Sequence, residues 1–277
     1  MSGIEGRGIQ ARRQVRAEMA YLRRLGRALT GNQSMADLAV VQLMEDLLVE
    51  TDFIDASHNP RIALYRRLLS ILEGVATVPP GHSVTAFPTP RSRQGYLLTA
   101  IEGFSNESAA EVLSVSLSEF CLLLDAAKAE IAQQVSSRVL IIEDEAFIVF
   151  ELETVVTGLG HSVTGIARTH KEAIAEIDRN RPDLILSDVE LADGSSGIEA
   201  VDEILTSADI PVVFITAHPE LLLTGQRCEP AFVINKPFNA AAVRATVSQA
   251  LYLSQLRNRA PGSSSGLDIA PRRTEPS

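Results

Sequence analysis

The sequence predicts a two-part chain: an all-α region of helix-turn-helix type, followed by an α/β domain built on a doubly wound parallel sheet. Three observations predict it. Up to about residue 135, apolar residues recur at helical spacing between cap and stop signals. From Arg138 onward, short apolar runs alternate five times with helical patterns, the signature of parallel strands joined by crossover helices. Four of those runs also end on polar chemistry. Val139-Leu140-Ile141-Ile142 ends in Glu143-Asp144-Glu145, Leu184-Ile185-Leu186-Ser187 in Asp188, Val212-Val213-Phe214-Ile215 in Thr216, and Phe232-Val233-Ile234-Asn235 in Lys236-Pro237. Open parallel sheets build their sites at such carboxyl ends.

The elements follow in order. Residues 15–77 read as a first helical domain. Leu22, Leu25 and Leu29 share a helix face that Thr30-Gly31 terminates. Asn32-Gln33-Ser34 leads into a second helix carrying Leu38, Val41, Leu47 and Leu48. Asn59-Pro60 opens a third, with Ile62, Leu64, Tyr65, Leu68, Leu69 and Leu72. Residues 78–90 are a Pro-rich linker. Residues 91–135 form a second helical domain: a helix over 92–102 closed by Gly103, a short helix capped by Ser105, and a third started by the capping-box pair Ser116 and Glu119. Residues 138–257 are the α/β domain, with helices expected near Ala146, His170, Gly197 and Asn239 and only a short one at 220–224. Residues 258–277, rich in Gly, Ser and Pro, are expected to be a disordered tail. Ile4-Glu5-Gly6-Arg7 reads as a protease-tag site, so the first dozen residues are expected to stand outside the fold.

Composition narrows the function. The net charge is −10; residues 1–137 hold 13 basic and 15 acidic side chains, and residues 138–277 hold 12 and 20. Neither half is a basic nucleic-acid platform. No run of about 18 apolar residues occurs and no apolar signal segment follows the Arg-rich N-terminus, so a cytoplasmic protein without a membrane span is expected. Cys121 and Cys228 share no motif and are expected to be core thiols.

In the flavodoxin-like strand order 2-1-3-4-5, the first and third strand ends lie side by side. That order brings Glu143, Asp144 and Asp188 together. Clustered carboxylates repel, so they call for a hard cation with oxygen ligands, and Mg²⁺ fits best. A free oxygen of Asp188 can then attack a phosphoryl group to form an acyl phosphate. The Thr216 hydroxyl and the Lys236 ammonium would each take one phosphoryl oxygen. His161, His170 and His218 lack ligand spacing and read as structural.

Acid pair, single Asp, Thr and Lys at successive strand ends resemble the receiver domain of two-component response regulators, over roughly residues 138–256. The resemblance implies that a sensor histidine kinase phosphorylates Asp188, and that the backbone carbonyl of Glu190 completes the metal coordination begun by Glu143 and Asp144. The chain departs from the pattern at Val233, where many receivers place the Tyr or Phe of an aromatic switch, with Phe232 one place earlier on the other face. Signalling by backbone and helix movement is expected instead. The chain is therefore not expected to be an enzyme acting on a second substrate.

The helical half resembles extracytoplasmic-function sigma factors. Tyr21-Leu22-Arg23-Arg24-Leu25-Gly26-Arg27-Ala28-Leu29-Thr30-Gly31 is similar to the start of sigma region 2, and Pro60-Arg61-Ile62-Ala63-Leu64-Tyr65-Arg66 to its closing helix. Pro90-Arg91-Ser92-Arg93-Gln94-Gly95-Tyr96-Leu97-Leu98-Thr99 with Glu102-Gly103-Phe104-Ser105 is similar to region 4. Yet the helix in the recognition position begins Leu117-Ser118-Glu119-Phe120-Cys121-Leu122 and reaches its first basic residue at Lys128. Residues 86–135 hold three basic and six acidic side chains. Base edges and phosphates want Arg, Lys, Asn or Gln there, so direct DNA binding is not expected. Exposed leucines on that helix suit a partner helix instead.

Sigma-like half first and receiver last resembles the PhyR family of general stress response regulators. The resemblance implies an anti-anti-sigma factor: phosphorylated at Asp188, it captures a NepR-like anti-sigma factor and frees the sigma factor. Without phosphate, the receiver is expected to pack on the helical half and occlude the partner site. The alternative reading is a response regulator that binds promoters itself, as a transcription or sigma factor. A phosphotransferase using Asp188 on a small molecule is disfavoured, because no cap domain is evident.

Overall fold

The computed structural model describes residues 15, 18–49, 59–75, 89–191, 193–219, 222 and 229–259. Six helices come first: α1 (residues 18–30), α2 (Gln33–Val49), α3 (Pro60–Val75), α4 (Arg91–Ala100), α5 (Asn106–Val112) and α6 (Leu117–Ala132). The α/β half then runs β1 (Arg138–Ile142), α7 (Ala146–Gly158), β2 (Ser162–Ala167), α8 (His170–Arg179), β3 (Leu184–Asp188), α9 (Gly197–Leu205), β4 (Val212–Thr216), β5 (Phe232–Asn235) and α10 (Ala240–Arg259).

Local chemistry sets these boundaries. After α1 the chain turns at Gly31, whose φ of 65° suits a residue without Cβ. Asn32, Asn59, Ser105, Ser116, Thr169, Ser196 and Asn239 each accept a backbone N–H of the helix that follows, satisfying donors that the first turn leaves orphaned. Gly103 turns with φ 68° after α4.

One hydrophobic cluster runs through both helical blocks, from Leu22, Leu43, Tyr65 and Leu72 to Leu98, Leu113 and Phe120. The third helix buries Ile62, Leu64, Tyr65, Leu68, Leu69 and Leu72, as its spacing predicts. The second corrects the sequence reading: Leu38, Val41 and Leu48 face outward, and α2 instead buries Ala36, Ala39, Val40 and Leu43. The cause is a close approach of α1. A Cβ added to Gly26 would lie 3.0 Å from the Ala36 Cβ, so the helices approach closely where these two small residues meet. Cys121 is exposed rather than a core thiol, because α6 buries Phe120, Leu124, Ala127 and Ile131 on its opposite face. Cys228, the first dozen residues, the bulk of the Pro-rich linker and the short helix expected at 220–224 (Leu222 apart) lie outside the described residues. Helix α10 continues to Arg259, into the first residues of the expected tail; residues 260–277 are not described.

All five strands are parallel, in the order β2-β1-β3-β4-β5. Alternate strand residues face opposite layers. Val139, Ile141, Leu184, Leu186, Val213, Ile215, Phe232 and Ile234 pack on α7 and α10. Leu140, Ile142, Ile185, Phe214 and Val233 pack on α8 and α9. Phe232 and Val233 are thus buried on opposite faces, as the alternation predicts. Chain order against strand order reverses between β1 and β3, which places a crevice at their carboxyl ends.

Candidate functional site

The β1 end supplies Glu143 and Asp144, and the neighbouring β3 end supplies Asp188. Candidate ligand oxygens of these three acids all lie within 4.8 Å of one another. Lys236, one residue past β5, reaches into this group. Its ammonium lies 2.7 Å from Asp188 Oδ2, 2.9 Å from Glu143 Oε2 and 3.2 Å from Glu145 Oε1. The Lys236-Pro237 peptide is cis. Asp188 Oδ1 accepts the backbone N–H of Val189 at 2.6 Å and that of Glu190 at 3.4 Å. Thr216 is buried at the β4 end; its hydroxyl accepts the His218 N–H at 2.9 Å, and its carbonyl accepts the Lys236 N–H at 2.8 Å. The residues named from the strand-end pattern therefore fall at one end of the sheet, and Lys236 is in contact with Asp188, Glu143 and Glu145.

Electrostatics follow from burial. Glu143 is almost fully buried, and desolvation pushes its carboxyl above the ordinary range, opposed by the Lys236 ammonium. Burial by itself would lower Lys236; hydrogen bonds and charge from Asp188 and Glu143 outweigh it and hold the ammonium raised. Lys236 is therefore a fixed cation at neutral pH. Glu143 Oε2 is buried and has no aligned hydrogen bond, although the ammonium lies only 2.9 Å away. Three clustered acids form an all-oxygen donor set, and that set suits a hard divalent cation.

The sequence reading gave no site role to two neighbours of this cluster. Glu145, at the N-cap of α7, is the third acid on Lys236. Gly197 opens α9 directly under Asp188, and its N–H donates to the Val189 carbonyl at 3.0 Å. A Cβ there would meet the Asp188 carbonyl oxygen at 1.7 Å and Ser187 Oγ at 2.7 Å. Replacing Gly197 with alanine is therefore expected to displace the Asp188 backbone and lower stability by about 1–3 kcal/mol. Urea unfolding of Gly197→Ala at wild-type midpoint would contradict that close approach.

The three histidines lie outside the acid cluster. His161 is buried, its Nδ1 accepts the Ser137 N–H at 3.3 Å, and desolvation lowers its pKa. His170 Nε2 lies 2.8 Å from Glu203, and His218 Nε2 lies 3.8 Å from Glu190.

A second constellation joins the two halves. Arg27 of α1 and Glu229, just before β5, form an ion pair of 2.5 Å with both side chains 1% exposed. Desolvation lowers the Arg27 pKa, with Glu229 opposing. The Glu229 N–H donates to Gln33 Oε1 at 2.9 Å. Along α10, Gln249 donates to the Ala28 carbonyl at 3.0 Å and the Thr89 hydroxyl at 2.8 Å, and the Ser248 carbonyl accepts from Gln134 at 2.9 Å. The Arg93 guanidinium stacks 4.3 Å over the Tyr252 ring. Ala28 packs within the α/β core and Ala245 within the helical core, so the halves interlock. Sequence periodicity carries no sign of this contact, because Arg, Glu and Gln are residue types that ordinarily stay in solvent.

Comparison with known proteins matches both halves. The family profiles "Sigma2 domain of PhyR", "Response regulator PhyR, sigma-like domain" and "Response regulator receiver domain" match residues 15–69, 88–134 and 139–248. The phyllosphere-induced regulator PhyR of Methylorubrum extorquens is 44% identical over 253 residues, covering 87% of this chain and 94% of that protein. The crystal structure of the response regulator PhyR from Brucella abortus is 44% identical, with a TM-score of 0.78 over 87% of this chain and 94% of that one. That of the anti-anti-sigma factor PhyR from Bartonella quintana is 41% identical, with a TM-score of 0.78 over 87% and 96%. A sigma-like helical half interlocked with a receiver, and near full-length identity to these relatives, together place this chain in the PhyR family of response regulators.

Proposed function

We propose that the chain is a phosphorylation-activated anti-anti-sigma factor of the cytoplasm, with Asp188 as phosphoacceptor and a histidine kinase as donor. One observation carries the reading: a single short segment bears both Glu229, buried in the contact between the halves, and Lys236, held on Asp188. Strand β5 lies between them, so a displacement at one end is transmitted to the other.

In the transfer, an Asp188 carboxylate oxygen attacks phosphorus, the bond to the donor's histidine nitrogen breaks, and that nitrogen leaves with its electron pair. Glu143, Asp144, Asp188 and the Glu190 backbone carbonyl would hold Mg²⁺, which supplies charge neutralisation for the phosphoryl oxygens. Lys236 gives one phosphoryl oxygen a cation that needs no proton transfer. Thr216, now accepting from His218, would turn its hydroxyl to donate to another. Phosphorylation adds roughly −1.5 to −2 charges beside Glu143 and Glu145. Lys236 then shifts from its carboxylates toward the new phosphate. Through β5 that shift loosens Glu229 from Arg27, and the sigma-like half is released to capture an anti-sigma factor of the NepR type.

Taking such a switch from 1:99 to 99:1 requires about 5.5 kcal/mol of differential stabilisation. Phosphate and partner share that load, so full opening is expected only when both are present. The test is the affinity for a purified NepR-type anti-sigma factor with and without acetyl phosphate plus Mg²⁺. Binding that tightens by at least about tenfold on activation, a difference of about 1.4 kcal/mol, supports the gate. Equal affinities with confirmed phosphorylation eliminate it.

No observation favours promoter binding. Helix α6 presents Leu117, Cys121 and Leu122 outward with acidic neighbours, and Arg93 of α4 is covered by α10. The chain is read as a regulator rather than an enzyme on a second substrate.

A further inference from the structure

Lys236 has three carboxylate partners, and they do not share one role. Glu143 and Asp188 belong, with Asp144, to the group of acids whose oxygens converge within 4.8 Å. Glu145 stands outside that group, yet its Oε1 lies 3.2 Å from the Lys236 ammonium, 91 positions away in sequence. An acid at a helix start ordinarily caps backbone N–H groups or meets the helix dipole. Glu145 occupies the N-cap of α7, but its side chain makes no cap hydrogen bond. The carboxylate reaches the lysine instead.

The backbone fixes the point from which it reaches. The Glu145 N–H donates to Glu143 Oε1 at 3.2 Å, and the Glu145 carbonyl accepts the Val149 N–H at 3.0 Å. Exposure then separates the three partners: the side chains of Glu143 and Asp188 are 1% and 10% exposed, and that of Glu145 is 61% exposed. Glu145 is thus the partner of Lys236 on the side open to solvent, from which a phosphoryl donor must come.

Two effects of this carboxylate have the same sign. Phosphorylation adds roughly −1.5 to −2 charges at Asp188, and the Glu145 anion opposes that charge by repulsion. A phosphoryl oxygen also needs the ammonium that Glu145 holds, so Lys236 has to leave one anion to meet another.

We infer that Glu145 is a positioning residue that restrains phosphorylation: it holds the Lys236 ammonium in the resting state and yields it only to a phosphoryl group on Asp188. The inference rests on the phosphoacceptor reading of Asp188 and adds to it a residue that sets how readily the site is filled. Glu145 touches no reacting atom. In transfer from acetyl phosphate, an Asp188 oxygen attacks phosphorus, the phosphorus–oxygen bond to acetate breaks, and acetate leaves with the electron pair. Lys236 moves from Glu145 toward a phosphoryl oxygen as this happens.

The test compares wild type with Glu145→Gln and Glu145→Asp in the full chain, with Mg²⁺ present throughout. Two quantities are read: the initial rate of Asp188 labelling by acetyl phosphate, and the dissociation constant for beryllofluoride, an unreactive mimic of the bound phosphoryl group. Glu145→Gln removes the charge and nearly keeps the shape. It is expected to label about two- to fivefold faster and to bind the mimic more tightly by a similar factor, the range of a solvent-screened ion pair. The difference should shrink toward unity as salt screens the charge. Glu145→Asp keeps the charge and should stay closer to wild type. The side chain is mostly in solvent, so thermal melting of both variants should match wild type. Unchanged labelling and mimic affinity in Glu145→Gln overturn the restraint and leave Asp188 as phosphoacceptor. A fall in both overturns it as well, by making Glu145 an aid to Lys236. Failure of wild type to label, or label retained on Asp188→Asn, overturns the phosphoacceptor reading and the role of Glu145 together.

Discussion

Replacing Asp188 with asparagine is expected to abolish acyl-phosphate formation entirely. An amide lacks the anionic oxygen that attacks phosphorus, and the other acids lack its position. Glu143 is buried against Lys236, and Asp144 has none of the backbone donors that hold Asp188 Oδ1. The substitution is nearly isosteric, and the amide oxygen can still accept the Val189 N–H, so the fold is expected to persist. Lys236 would lose its 2.7 Å contact and keep those to Glu143 and Glu145. The measurement is incorporation of labelled phosphate from acetyl phosphate with Mg²⁺, beside thermal melting as a control. Label retained on folded Asp188→Asn would refute the assignment. In the same experiment the variant should stay in the weakly binding state, because nothing draws Lys236 from its carboxylates.

Replacing Glu229 with alanine is expected to produce the opposite phenotype, capture of the anti-sigma factor without phosphate. The Arg27 guanidinium, 1% exposed, would lose its ion-pair partner while still buried. Removing one partner of a buried pair typically destabilises the paired state by about 3–5 kcal/mol. Opening relieves this penalty by returning Arg27 to water, so the closed-to-open ratio falls by roughly two to three and a half decades. That approaches the 5.5 kcal/mol needed for the full switch. Binding of unphosphorylated Glu229→Ala should therefore come within about tenfold of activated wild type. Unchanged weak binding by a folded variant would break the proposed link. Arg27→Met with Glu229→Leu provides the complementary arm. Two apolar side chains can fill the same space without buried charge, so the double variant should close again and show strong non-additivity.

Much of the α/β half was legible because parallel strands buried on both faces read as uninterrupted apolar runs, whose ends are fixed by the first polar residue. Glu143, Asp188, Thr216 and Lys236 each sit at such an end, so strand order alone brings them together. Glu145 was seen as the third acid after the first apolar run but was given no role, because an exposed acid at a helix start has an ordinary reason to be there. Gly197 was legible as a helix start, but its role as the space beneath Asp188 was not, since steric fit has no sequence signature. In the helical half, periodicity showed that α2 has apolar residues in register and could not say which face is inward. Two faces qualified, and the Gly26–Ala36 approach goes with burial of the face that carries Ala36, Ala39, Val40 and Leu43.

The sequence by itself determined the order of the two halves, the parallel sheet, the acids, threonine and lysine at the strand ends, and the scarcity of basic residues on α6. These follow from local periods of two and 3.6 residues and from side-chain type, which are properties of the chain at short range. Only the tertiary structure decided that Arg27 and Glu229, 202 positions apart, form a buried pair, and that leucines of α2 remain in solvent. Both depend on how finished elements pack, where a contact between distant residues is set by shape and desolvation and leaves no repeating mark in the sequence.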